Sequence, residues 1–208
     1  MLEARVAVIN YGGGTIGSLL AALERHGVAY VVTESAADVE SARGTIFPGD
    51  GAFAATMHAL AERGLDRAIL ASIERGAPFL GVCVGMQVLF EGSTEFGTTA
   101  GLGVLEGTVA RFERAERIPH MGWNTLEAVR THPFVDGITA GDFAYFLHSY
   151  RAPVGDATVM ATTYGDRFTS VVARGNVMGT QFHPEKSQRT GDLLLANYVK
   201  LLHEESTR

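Results

Sequence analysis

The chain has 208 residues, 46% of them apolar, with 17 basic and 23 acidic side chains and a formal charge of −6. That length suffices for one domain with a substantial core, and an acidic balance with no basic block argues against nucleic-acid binding. No apolar run approaches the roughly 20 residues needed to cross a bilayer, Met1-Leu2-Glu3-Ala4-Arg5 lacks the plan of a signal peptide, and one cysteine, Cys83, excludes an internal disulfide framework and fits a reducing cytoplasm.

Taken in chain order, the first half alternates strand and helix signals. Val6 to Ile9 is a short apolar run, after which Ile16, Leu19, Leu20 and Leu23 recur at helical spacing and Gly27 sits where a helix ends. Ala29 to Thr33 and Thr45 to Phe47 read as strands. Phe53, Met57 and Leu60 mark one helix and Leu65, Ile69 and Ile73 another. Pro78 to Val82 is a strand entering a helix expected to run to about Phe90. The second half is strand-rich: Val104 to Phe112, Phe143 to Tyr150, Thr158 to Thr163, Thr169 to Ala173 and Val177 to Phe182. A closing helix carries Leu194, Tyr198, Leu201 and Leu202 on one face. The expectation is a single α/β domain over residues 1–208, with a central, mostly parallel sheet flanked by helices and antiparallel strands added in the C-terminal half.

Phe79-Leu80-Gly81-Val82-Cys83-Val84-Gly85-Met86-Gln87 carries the most chemistry. An apolar strand ends in Gly-x-Cys-x-Gly and a helix follows, the cysteine version of a nucleophile elbow. The flanking glycines permit a sharp turn, the helix start favours a thiolate, and the Val84 N–H is placed to bind an oxyanion. A free cysteine is also commonly a small buried apolar residue. The elbow spacing favours the nucleophile. A thiolate needs a base and an orienting group, and Gln181-Phe182-His183-Pro184-Glu185-Lys186-Ser187 offers both. His183 stands at a strand end stopped by Pro184, and Glu185 can accept an imidazole N–H after a turn, fixing the tautomer.

The elbow and the Gln-Phe-His-Pro-Glu-Lys-Ser segment resemble the signatures of class I glutamine amidotransferases. Three further segments, Pro48-Gly49-Asp50-Gly51-Ala52-Phe53, Pro119-His120-Met121-Gly122-Trp123-Asn124 and Tyr145-Phe146-Leu147-His148-Ser149-Tyr150, are similar to those of the glutaminase subunits of imidazole glycerol phosphate synthases. The resemblance implies Cys83 as nucleophile, His183 as acid/base and Glu185 as its orienting carboxylate. It implies an oxyanion site from Val84 and the Gly49-Asp50-Gly51 backbone, and a glutamine pocket at Gln87, Glu95, Ser149 and Tyr150. It further implies a heterodimer with a (β/α)₈-barrel cyclase subunit that consumes the ammonia, with Pro119, His120, Trp123 and Lys186 at the interface. No cofactor or metal is implied. For Gln87 the plainer reading is a helix surface residue, for Glu95 a solvated loop charge, and for Trp123 a core aromatic.

Two positions depart from the family pattern. Asn10-Tyr11-Gly12-Gly13-Gly14-Thr15 replaces an Asp-Tyr-Gly start followed by Asn, and Asp50 stands where valine is usual. The expectation for Asp50 is a side chain turned toward solvent or a basic group. Rival readings are an autonomous glutaminase on the same fold, such as that of pyridoxal phosphate synthase, and a binding module that has lost the reaction.

Overall fold

A computed structural model of the chain describes residues 5–12 and 16–204. The sequence readings that fall on Met1 to Ala4 and on Gly13, Gly14 and Thr15 lie outside the described residues.

β1 (Val6–Ile9) is buried along its length. α1 (Gly17–Arg25) turns Leu19, Ala22 and Leu23 inward, and Gly27 follows in the left-handed conformation that closes a helix. Next come β2 (Tyr30–Thr33), α2 (Ala36–Ser41), β3 (Gly44–Gly49), α3 (Phe53–Glu62), α4 (Leu65–Glu74) and β4 (Phe79–Cys83). α2 has no counterpart in the sequence reading: its only buried residue is Val39, so it displays no period.

The helix after β4 is a single turn, α5 (Val84–Gln87), and does not reach Phe90. Instead Phe90 opens β5 (Phe90–Ser93), whose partners are β6 (Thr99–Ala100) and β7 (Leu105–Arg111). Phe90 pairs with Leu105, and Gly92, a poor helix residue, fits against the Thr99 carbonyl where a Cβ would collide. Tertiary pairing thus overrides the local helical period.

The rest comprises β8 (His120–Thr125), β9 (Glu127–Ala128), β10 (Phe143–His148), β11 (Tyr150–Arg151), β12 (Thr158–Tyr164), β13 (Asp166–Arg174), β14 (Val177–Thr180) and α6 (Gln188–Glu204). Among the described residues the main sheet runs β2-β1-β3-β4-β14-β13-β12-β9. It is parallel from β2 to β14 and antiparallel beyond, the expected mixed α/β architecture. β7 and β10 do not join it: β7 lies in the sheet β11-β7-β5-β6, and β10 pairs with β8 in a two-stranded ribbon.

Alternation along β1 divides the core. Val6 and Val8 face one apolar layer with α1 and α6, while Ala7 and Ile9 face the other with α3 and α4. Each fully buried Leu or Phe in these layers contributes about 1.5–3 kcal/mol. β4 and β14 are parallel neighbours with Val82 opposite Thr180. Cys83 and His183 therefore leave the sheet at the same edge, the carboxyl ends of the strands, where open α/β sheets place their sites. No helix among the described residues is long and apolar enough to cross a membrane.

Candidate active site

Cys83 has φ +54° and ψ −112°, a conformation that costs an L-residue energy and persists only where the surroundings impose it. Two glycines make the turn possible. A Cβ on Gly81 would run into the Gly85 carbonyl, and one on Gly85 into the Phe47 carbonyl. Gly49 stands opposite Cys83 in the β3–β4 register, and a Cβ there would lie 2.7 Å from the Gly85 nitrogen. The backbones of β3, β4 and α5 thus touch directly. The sulfur is nearly buried, 3.9 Å from the Leu147 carbonyl and 3.7 Å from Nε2 of Gln181. A one-turn helix adds little dipole to the site, since the macrodipole sums over aligned peptides.

After β14 a 3₁₀ turn over Pro184–Lys186 folds Glu185 back onto His183. Oε1 of Glu185 lies 2.9 Å from Nδ1 of His183. Nε2 is buried without a hydrogen-bond partner among the described residues, as is the second Glu185 oxygen, Oε2. Burial alone lowers the imidazole pKa, but the Cys83 side chain and the Glu185 carboxylate outweigh it and raise it to about 10. A protonated ring directs one N–H to Glu185 and presents the other at Nε2. Its backbone is anchored as well. The His183 N–H donates to the Tyr145 carbonyl, and the Ser187 hydroxyl donates to the His183 carbonyl (2.7 Å) while accepting the Tyr145 N–H (3.0 Å).

A cavity of about 410 Å³ opens beside the sulfur, within the range of small-molecule sites. Asp50, Gly51, Cys83, Val84, Gln87, Glu95, Ser149, Tyr150 and Lys186 all line it. Gln87 is buried and not a helix surface residue. Its Nε2 donates to the Tyr150 carbonyl (3.0 Å) and to Oε1 of Gln181 (2.9 Å), which leaves its own oxygen as an acceptor. Glu95 is no free loop charge: Oε2 accepts the Phe53 N–H at the start of α3 (2.7 Å). The Tyr11 hydroxyl donates to the Asp50 carbonyl (2.6 Å), pinning that peptide. The half-exposed Asp50 carboxylate reaches within 3.9 Å of Nε2 of His183, so the basic group it faces is the imidazole itself.

The residues expected at an interface separate. Pro119 and Lys186 are exposed, and Trp123 is 46% exposed, edge-on to Tyr145, which removes the core-aromatic reading. His120 faces inward and is buried, stacked between Tyr164 and Phe146.

The model of the class-I glutamine amidotransferases matches residues 7–200. The chain belongs to this family. It is 45% identical over 202 residues to the imidazole glycerol phosphate synthase subunit HisH of Geobacillus kaustophilus, covering 93% of this chain and 95% of that one. It is 45% identical over 203 residues to the HisH of Salinibacter ruber, covering 93% of each. Among solved structures it resembles a glutamine amidotransferase with TM-score 0.73 and 22% identity, covering 95% of this chain and 98% of that one. PurLQS from Thermotoga maritima gives the same score at 20% identity, covering 95% and 98%. At such identities these structures speak for the fold.

Several residues of this amidotransferase escaped the sequence reading. Ser187 clamps the backbone of His183, and Gln181 lies against the sulfur. Running inward from the cavity wall, two buried histidines form a directed chain. Asn124 Nδ2 meets Nε2 of His120 (3.2 Å), Nδ1 of His120 meets Nε2 of His148 (3.1 Å), and Nδ1 of His148 meets the Tyr150 carbonyl (2.8 Å). The carbonyl accepts only and the amide nitrogen donates only, so both rings are neutral with fixed tautomers. Burial lowers the pKa of His120 to about 4 and that of His148 to about 3. The alternation of β8 and β10 was the available signal, since it turns His120, Phe146 and His148 to the inner face.

Proposed function

We propose that this chain is the glutaminase subunit of an imidazole glycerol phosphate synthase, formed by one amidotransferase domain and acting in the cytoplasm. It hydrolyses glutamine and supplies ammonia to a (β/α)₈-barrel cyclase subunit that makes imidazole glycerol phosphate and aminoimidazole carboxamide ribotide in histidine biosynthesis. The observation that carries this reading is Cys83 on the wall of that cavity with the Glu185-paired imidazole of His183 beside it, in a chain 45% identical over 202 residues to HisH.

The Cys83 sulfur attacks the side-chain amide carbon of glutamine, and the carbonyl π pair moves to oxygen. Backbone N–H groups of Val84 and the Gly49-Asp50-Gly51 segment hold that oxyanion. Nε2 of His183 gives its proton to the amide nitrogen as the C–N bond breaks, releasing ammonia and leaving a thioester. Water, deprotonated by the same nitrogen, attacks the thioester, and the C–S bond breaks to give glutamate and the free sulfur. Glu185 keeps the ring oriented throughout. The free carboxylate oxygen of Glu95 and the amide oxygen of Gln87 suit the substrate's α-ammonium.

Ammonia that reaches neutral water becomes ammonium and loses its nucleophilicity, so it must pass directly to its acceptor. The outer face of the β8–β10 ribbon supports a docking role there. Met121, Trp123, Phe143 and Leu147 are exposed on it, paired across the strands as Leu147 with Met121 and Tyr145 with Trp123. Exposed aromatics and methionine are what interface centres favour. The test is steady-state glutamate release by the chain alone, with the cyclase subunit, and with that subunit and its nucleotide ligand. Strong stimulation by the liganded subunit is expected. An isolated chain as fast as the liganded complex contradicts the coupling.

A further inference from the structure

Gln181 is fully buried, two residues before His183, and takes no direct part in the reaction described above. Its backbone N–H is engaged by the Ser170 carbonyl (2.8 Å), and its side chain lies between Gln87 and Cys83. Which end of this amide faces the sulfur is decided by its neighbours. The Tyr150 carbonyl only accepts, so the group of Gln87 that meets it must be the NH₂. The same NH₂ meets Gln181, whose near atom must then be the oxygen. The remaining end of Gln181, the NH₂ at 3.7 Å, is left pointing at Sγ of Cys83.

The Tyr150 carbonyl is held in turn by Nδ1 of His148, and His148 by His120. Each link donates in one sense only, and a reversal at any point would set two acceptors or two donors against each other.

We propose that Gln181 is a positioning residue for the nucleophile: its amide N–H, locked in the donating orientation by Gln87 and the Tyr150 carbonyl, holds the Cys83 sulfur and favours its thiolate. This rests on Cys83 being the nucleophile. The donated N–H interacts more strongly with S⁻ than with S–H, so it stabilises the reactive form and fixes its direction. It complements His183, which lends charge to the sulfur but must then release its proton to the leaving group. Gln181 keeps its proton, so the sulfur retains one donor through the whole cycle.

The test uses the full chain and iodoacetamide, a small electrophile that needs no glutamine pocket. With one cysteine in the chain, all thiol alkylation reports on Cys83. The other titratable groups facing the sulfur or its cavity are His183, Asp50, Tyr11, His148, Glu95 and Lys186, and they stay constant across the variants. In Q181M the pH midpoint of alkylation is expected to rise by about half to one unit, with the rate at pH 7 falling about three- to tenfold. Q87M, which leaves Gln181 in place and removes its lock, is expected to give a smaller shift of the same sign. A residue that only fills space would lower the melting temperature and leave the midpoint where it was. Should one variant fail to fold, the other carries the test. An unchanged midpoint in folded protein overturns the proposal. Wild-type chain that keeps its glutaminase activity after complete alkylation would instead overturn Cys83 as nucleophile.

Discussion

His183, at the edge of the parallel sheet, and His148, on the inner face of the ribbon, are the same side chain in opposite states. Both are buried. His183 has a carboxylate on one nitrogen and a sulfur beside it, and its pKa is raised to about 10. His148 has a carbonyl on one nitrogen and a second neutral imidazole on the other, and its pKa is lowered to about 3. Burial pushes both the same way, so the partners decide the sign. The raised pKa suits His183 to the proton transfer proposed for it, whereas the neutral His148 serves as a fixed strut between the ribbon and the cavity wall.

The sharpest way to break this contrast is to remove the charge that sustains His183. Glu185→Gln keeps the shape but admits the wrong tautomer, and the corresponding change in a serine triad costs on the order of 10⁴ in rate. A similar loss of glutamate release is expected, with the circular dichroism spectrum unchanged. A loss below about tenfold would show that Glu185 does not orient the ring.

The strut is tested by acid. Because the folded pKa of His148 lies below the ordinary 6.5, the unfolded chain takes up that proton first. Stability is complete above about pH 6.5 and falls as the pH drops toward the folded value, by up to about 1.4 kcal/mol per unit. Urea unfolding of His148→Phe at several pH values between 7 and 4.5 is expected to show a shallower slope than wild type by about that amount, whatever its stability at pH 7. Equal slopes would mean that His148 is protonated in the fold.

The smallest expected effect concerns Asp50. Its carboxylate stands 3.9 Å from Nε2 of His183, the atom proposed to protonate the leaving nitrogen, and it is 49% exposed. Such a solvated pair is worth about 1 kcal/mol or less. Asp50→Val is therefore expected to raise the basal glutamate release of the isolated chain by a few-fold and to change the partner-stimulated rate little. Basal release equal to or below that of the parent would leave Asp50 without this restraining role.

How far the sequence foretold these two regions follows from the range of the interactions. The elbow was legible because Gly81, Cys83 and Gly85 lie within five residues and close backbone contact demands the two glycines. The same holds for His183 and Glu185, joined across one turn. The parallel half of the sheet was legible too, apart from α2, since its strands and its other long helices carry their own periods. The ribbon was not. β8 has Gly122 and Asn124 in its middle, and only its register against Phe143–His148 reveals a strand. β7 was recognised as a strand but not assigned to a second sheet, a matter of long-range pairing. Gln181 and His148 draw their roles from Cys83, Gln87 and His120, distant in sequence; the alternation of β10 turns His148 inward but does not reveal these partners.

The most direct measurement of the central claim is glutamate release from glutamine by the Cys83→Ala chain, assembled with the cyclase subunit and its ligand under conditions where wild type is fully stimulated. A folded chain is expected that still assembles and releases no glutamate above background, a loss of at least about 10³-fold for removal of a covalent nucleophile. Release within tenfold of wild type from that complex would contradict it.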